Sequence, residues 1–274
     1  MSSAISETIT VPRLHRPDPA EFRRRFEAPR LPVVITGEMD GWDAMRRWSP
    51  DFFAGILGNL EVKAITTEAA MDEHPPTPEE LIRTKVEKIR LRDFLREVAS
   101  GPVRRYVSGM SMRPNLAMLL GDIEPPVYRE ENAAVSPRLW LGRLVGPLHY
   151  DQVNNLHGVV YGAKRFTLFH PKELRNLYPC SLISYLPTFS RASLDEADYE
   201  KFPRLRKARP LVVDLAPGDL LFLPAGWWHQ VTTPELTISI DFPWTRMPRR
   251  GWPFLRLALW KALTPLRGRL GASR

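Results

Sequence analysis

From about residue 137 the chain is a series of short runs rich in β-branched and aromatic residues, each closed by Gly, Pro or a polar turn. RLWLGR (138–143), NNLHGVVYG (154–162), KRFTLFHP (164–171), RPLVVDLAPG (209–218), DLLFLPAG (219–226), HQVTT (229–233) and LTISIDFPW (236–244) follow one another in this way. Runs of this length and composition read as strands, and strands so closely spaced argue for an all-β barrel or jelly roll. One insertion, about 171–209, interrupts the series. It holds most of the charge of this region, so it is expected outside the barrel.

The elements ahead of this block are mixed. PAEFRRRFEA (19–28) sets Phe22 and Phe26 four residues apart, as on one helix face. LPVVITG (31–37) reads as a buried strand ending on a Gly. SPDFFAGILG (49–58) has a Ser cap, a Pro at the first helical position and a terminal Gly, which together bound a helix. LEVKAIT (60–66) alternates as a strand does, TPEEL (77–81) begins a helix turn, LRDFLREVAS (91–100) is helical, and VRRYVSGM (103–110) is a strand. The expected organisation is an N-terminal segment and helix (1–30), an α/β module (31–136) packed on the barrel (137–245), and a C-terminal helix (246–274).

That last segment, with Trp252, Leu255, Leu259 and Trp260 among its basic residues, reads as an amphipathic helix broken near Pro265. It contains no Asp or Glu, so part of the net charge of +8 belongs to it. The apolar stripe would suit a homodimer contact. The basic residues are not interleaved with aromatics as in a stacking platform, so a nucleic-acid partner is not expected. One cysteine, Cys180, excludes an internal disulfide and a thiolate zinc site. The N-terminus lacks a signal-peptide core and no apolar run reaches the roughly 18 residues of a membrane span. A cytoplasmic protein is the expectation.

The chemistry lies in two places. In HYD (149–151), residues i and i+2 of a strand face the same way, so His149 and Asp151 would point together into a barrel. Alone this triplet is common by chance, and a core histidine explains it as well. A second histidine, His229, sits in PGDLLFLPAGWWH (217–229), where a turn, an apolar strand and a second turn bring it to the start of the next strand. Two imidazoles and one carboxylate form a facial set that suits non-heme Fe(II) and leaves positions open for a 2-oxo acid and O₂.

Taken together, LPVVITGEMDGWDAMRRWSPDFFAGILG (31–58), LWLGRLVGPLHYDQVNNLHGVVYGAKRFTLFHP (139–171), DYEKFPRL (198–205), PGDLLFLPAGWWHQV (217–231) and TISIDFPW (237–244) resemble the cupin-like JmjC branch of 2-oxoglutarate oxygenases. They look most like the peptidyl hydroxylases related to the asparaginyl hydroxylase of hypoxia-inducible factor. The resemblance covers roughly residues 30–245. It implies a double-stranded β-helix, with His149, Asp151 and His229 as the iron ligands. It implies Lys164 on the distal carboxylate of 2-oxoglutarate, Tyr106 sharing that carboxylate, and Asn155 near cosubstrate and iron. A cation inside a barrel needs an anion, which fits that role for Lys164; a strand-edge lysine is the plain alternative.

Two departures stand out. Gly146 replaces a Thr three residues before the first ligand, removing a hydroxyl, and Asp241 replaces an asparagine beside the metal site. His157 is aromatic and apolar in that relative; if it faces inward with Asp151 and Asn155 it would line the cosubstrate pocket, and otherwise it is a core histidine. The activity implied is hydroxylation of a C–H bond using Fe(II), 2-oxoglutarate and O₂. The alternatives for the substrate are a residue of a protein or peptide and a small molecule such as a free amino acid. A non-catalytic cupin-like binding module is the alternative to an enzyme.

Overall fold

A computed structural model of the chain describes residues 10–66, 85–100, 105–129 except 115, 136–194 except 144 and 183, and 198–244. The helix turn expected at 77–81 and the C-terminal helix lie outside these residues. Thirteen strands and four α-helices are present among those described. The strands are β1 (Arg13–His15), β2 (Val33–Thr36), β3 (Glu61–Thr66), β4 (Lys85–Arg90), β5 (Arg105–Ser111), β6 (Arg138–Gly142), β7 (His149–Tyr150), β8 (Asn154–Tyr161), β9 (Lys164–Phe169), β10 (Leu211–Leu215), β11 (Leu220–Leu223), β12 (Trp228–Thr232) and β13 (Thr237–Trp244). The helices are α1 (Pro19–Phe22), which runs on into a π-helical turn (Arg23–Glu27), α2 (Ala44–Arg47), α3 (Pro50–Leu57) and α4 (Leu91–Ser100).

The local signals act as their chemistry requires. Asp18 accepts from the backbone N–H groups of Ala20 and Glu21 at the start of α1, and Ser49 accepts from Phe52 N–H at the start of α3. Each side chain satisfies donors that the first helical turn leaves open. Gly37, Gly218 and Gly226 end their segments with positive φ, where a Cβ would be strained.

The strands form two facing sheets. The larger has the order β1-β2-β11-β8-β13-β6-β5-β3-β4 and the smaller β10-β9-β12-β7. The four-stranded sheet and the centre of the larger one make the jelly roll, and strands of the N-terminal half extend the larger sheet at both edges. Three apolar layers follow from alternation along the strands. Leu139, Leu141, Leu156, Phe222, Ile240 and Phe242 face outward from the large sheet and pack under the helices with Phe22, Trp48, Phe53 and Phe94. Val34, Val159, Phe166, Leu168, Leu221 and Val231 meet between the sheets. Tyr150, Phe169 and Trp228 face outward from the small sheet and are covered by Leu177, Tyr178, Phe202 and Leu205 of the insertion.

The insertion therefore lies outside the barrel, as its charge suggests, but it is not a mere loop. Residues 188–190 run alongside β7: Tyr150 N–H donates to Thr188 O and Ser190 N–H donates to Leu148 O. This arm covers the free edge of the small sheet.

Gly142 ends β6 at φ +118, and a Cβ there would sit 2.3 Å from Arg105 O and 2.9 Å from Tyr106 Cα. Gly142→Ala is expected to cost roughly 2–3 kcal/mol, because it adds backbone strain to a backbone clash. Urea denaturation of the two proteins measures this, and an unchanged midpoint would show that β5 and β6 can separate without penalty.

Candidate metal centre

The pairing of β7 with β12 sets Tyr150 opposite Trp228 and His149 opposite His229. Because Tyr150 and Trp228 pack outward, the two histidines face inward. Their rings are 4.3 Å apart between centroids. β7 ends at Tyr150, so Asp151 is the first residue of the turn leading to β8 and not a strand residue as the alternation argument supposed. It still reaches the pair, with Oδ2 4.0 Å from His229 Nε2. One ligand atom from each of His149, Asp151 and His229 lies within 4.8 Å of the others.

Hydrogen bonds select the tautomers. His149 Nδ1 lies 2.9 Å from Pro147 O and His229 Nδ1 lies 3.1 Å from Trp227 O. Carbonyl oxygens only accept, so each Nδ1 carries the proton and each Nε2 keeps its lone pair for a metal. Burial and the neighbouring His149 pull His229 down to about 4, partly offset by Asp151. The imidazole is therefore neutral, as a ligand must be, down to that pH. Phe189 of the insertion lies parallel to His149, 4.9 Å away and inclined by 13°.

The other residues singled out in the sequence fall as follows. Asn155 and His157 pair with Leu223 and Leu221 of β11, both of which face the space between the sheets, so both side chains face inward. Asn154 faces the other way and accepts from Ala225 N–H. Lys164 is fully buried; its Nζ is 3.3 Å from His157 Nε2 and 5.9 Å from the centre of the Trp140 ring. No carboxylate lies within ion-pair distance of it among the described residues, and burial holds it down to about 7. The same burial, with Lys164 next to it, pushes His157 well below its ordinary value. Tyr106 pairs with Gly142 on the face shared with Trp140; burial raises its phenol to about 12, and it is not hydrogen-bonded to Lys164. Gly146 is buried and leaves no hydroxyl, its N–H donating to Val231 O. Asp241 is fully buried and takes hydrogen bonds from Arg138 and from Asn155.

Two inward groups were missed in the sequence, Trp140 and Ser239. Trp140 Nε1 and Ser239 Oγ, like Asn155 Oδ1, are buried and have no hydrogen-bond partner. Trp140 and Ser239 are direct cross-strand partners. Parity could have found them: Trp140 stands between the outward Leu139 and Leu141, and Ser239 stands two residues before Asp241. Orphaned buried polar atoms are rare because each is costly. Here they lie in the same inter-sheet space as His149, His229 and the Lys164 ammonium, which has no carboxylate within ion-pair distance among the described residues. A dicarboxylate bound on Lys164 and extending toward the histidines fits the donors of this set, Lys164 Nζ, Trp140 Nε1 and Ser239 Oγ, while Asn155 Oδ1 offers an acceptor.

With the geometry in place, comparison with known proteins gives the family. A family model described as "Cupin-like domain" matches residues 19–250. The chain belongs to this family. Its relatives are JmjC proteins and related enzymes. Lysine-specific demethylase 8 of Xenopus tropicalis is 28% identical over 250 residues, covering 88% of this chain and 54% of that one. tRNA wybutosine-synthesizing protein 5 of Homo sapiens is 28% identical over 261 residues, with 88% and 79% covered. Bifunctional peptidase and (3S)-lysyl hydroxylase JMJD7 of Homo sapiens is 29% identical over 271 residues, with 85% and 84% covered. The chain spans 54% to 61% of the length of the lysine-specific demethylase 8 and Jumonji C domain-containing protein 5 sequences it matches. JmjC domains typically use Fe(II) and 2-oxoglutarate, and the His-Asp-His set of this chain is of the matching type.

Two outcomes test the site. Asp151→Ala is expected to weaken divalent-metal binding by at least about 100-fold, since loss of outer partners alone costs 10–100-fold; calorimetry with Zn(II) measures it. A Lys164 near 7 when free must rise on meeting an anion. Affinity for 2-oxoglutarate in the Zn(II) protein is therefore full below about pH 7 and falls as pH rises above it. Lys164→Met should bind weakly and lose this slope.

Proposed function

We propose that the chain is an Fe(II)- and 2-oxoglutarate-dependent oxygenase that hydroxylates a C–H bond of an amino-acid residue in a protein or peptide. The observation that carries this reading is the inward-facing set of His149, Asp151 and His229, with both Nε2 atoms free, in the same interior as the buried, unpaired Lys164. A metal set alone would suit a binding module. A metal set with a buried cation and orphaned polar groups suits a centre that also takes an organic anion.

When bound, the iron supplies the redox chemistry that couples O₂ and the 2-oxo acid to C–H oxidation. The chain's own part is holding and excluding. Pro147 O and Trp227 O lock the two imidazoles, and Phe189 limits how far His149 can turn. Lys164 would meet the distal carboxylate, with His157 accepting a hydrogen bond from its Nζ, and Tyr106 would approach the same carboxylate from β5. Loss of the hydroxyl at Gly146 leaves that end to His157, Trp140 and Ser239. Burial of Lys164, His157 and Ser239 keeps bulk water from the cosubstrate.

The substrate class draws support from the relatives whose names specify lysine residues, a demethylase and a lysyl hydroxylase. A second reading, oxidation of a nucleoside in RNA, has its own observation: the similarity to a tRNA wybutosine-synthesizing protein over 79% of its length, together with a net charge of +8.

With Fe(II), ascorbate and O₂, the purified chain is expected to convert 2-oxoglutarate to succinate slowly without added substrate, and Asp151→Ala should abolish this. A peptide library and total tRNA, each added to the same assay, decide the class by which one stimulates turnover and gains 16 Da. No succinate above the Asp151→Ala background under any addition would overturn the enzyme reading.

A further inference from the structure

Asp241 is fully buried, on the inner face of β13, directly across from His157 of β8. A carboxylate taken out of water there is costly unless it is paired and hydrogen-bonded. It is paired. Arg138 Nε donates to Asp241 Oδ1 at 3.0 Å and Arg138 Nη2 donates to Oδ2, the two-point fork for which guanidinium is suited and lysine is not. Asn155 Nδ2 donates to Asp241 Oδ2 at 2.8 Å.

The second contact has a consequence for orientation. A carboxylate only accepts, so Asn155 must present its NH₂ to Asp241. Its carbonyl oxygen is then turned elsewhere, and that oxygen is buried without a partner. Asn155 itself faces the space between the sheets, opposite Leu223. An asparagine at 241 could present either its oxygen or its nitrogen and would leave both orientations of Asn155 open. Aspartate permits one. Aspartate at this depth requires a cation, and Arg138 supplies it from the first residue of β6, partly exposed where Asp241 is not.

We propose that Arg138 is a positioning residue of the pocket: by neutralising Asp241 it fixes Asn155 with its carbonyl oxygen toward the ligand space. The pocket is thereby furnished with an acceptor at that point, so the group seated there carries a donor, such as a metal-bound water or a hydroxyl. The further claim that this arrangement serves cosubstrate binding rests on the reading of the pocket given above; the orientation of Asn155 does not.

The test is a cycle of Arg138→Met, Asp241→Asn and the double variant. In the metal-free protein, the Asn155 side-chain amide signals, identified by their loss in Asn155→Ala, report the orientation by NMR. Arg138→Met should shift or broaden them and lower the thermal midpoint by roughly 10 °C, because it strands a buried carboxylate. Adding Asp241→Asn should restore most of the midpoint, since no charge is then stranded, but should leave the Asn155 amide signals away from their wild-type positions, because an asparagine at 241 no longer dictates how Asn155 turns. In the Zn(II) protein, calorimetry with 2-oxoglutarate should show a loss of roughly 10–100-fold in Arg138→Met that the double variant does not fully recover. Amide signals unmoved by Arg138→Met, wild-type amide signals in the double variant, or a midpoint that the double variant does not recover would overturn the proposal. A wild-type protein that binds Zn(II) but no 2-oxoglutarate would instead overturn the reading of the pocket, and the NMR and thermal arms would still decide the role of Arg138.

Discussion

The register between β7 and β12 governs everything else in the site. It sets His149 against His229 and turns Tyr150 and Trp228 outward under the insertion. Strand side chains alternate, so a slip of one residue in either strand would send its imidazole into the outer apolar layer and its large aromatic into the pocket. Packing and chemistry thus enforce the same register. The aromatic pair, with ring centroids 4.8 Å apart, holds the strands in place from the outside. The two backbone carbonyls that accept from Nδ1 do so from within. The ligand set is preorganised before any metal arrives, which lowers the ordering cost of binding.

Around those ligands the interior is built from charges that do not balance locally. Lys164 and His157 are buried together, with no carboxylate within ion-pair distance of Lys164 among the described residues, and burial lowers the proton affinity of both. Asp241 is buried against Arg138, a partly exposed guanidinium that forks onto it. The first arrangement costs stability in the ligand-free protein and is relieved by an anion. The second balances its own charge and reaches the pocket through Asn155. The inter-sheet space therefore has one polar cluster suited to a ligand and one that orients a neighbour of it. Trp140, between them on β6, touches both: Arg138 lies 6.0 Å and Lys164 5.9 Å from its ring centre.

The insertion links the site to the outside. Its apolar residues bury the outer face of the small sheet, and its arm at residues 188–190 brings Phe189 against His149. Its charge is legible in the sequence and explains its place outside the barrel. The pairing of the arm with β7 is not legible, because residues 184–190 carry no alternation that distinguishes a strand from a turn-rich loop. The same limit applies to Trp140 and Ser239. Each sits on a strand that reads correctly, but its significance appears only when β6 and β13 are set side by side and the atoms lack partners.

What the sequence alone determined is local and periodic. The spacing of β-rich runs dictated a barrel; Ser49, Pro50 and Asp18 fixed helix starts; and the turns at Pro217-Gly218 and Pro224-Ala225-Gly226 delivered His229 to the beginning of a strand. These follow from backbone preferences that act over a few residues. The family resemblance carried the ligand assignment further than spacing could. Tertiary structure decided what depends on neighbours far apart in the chain. It ended β7 one residue before Asp151 and yet brought that carboxylate to the histidines. It gave Asp241 a guanidinium from 103 residues away, and among the described residues it left Lys164 with no carboxylate within ion-pair distance. Proton affinity, tautomer and amide orientation are set by what surrounds a group, and a linear sequence does not contain its surroundings.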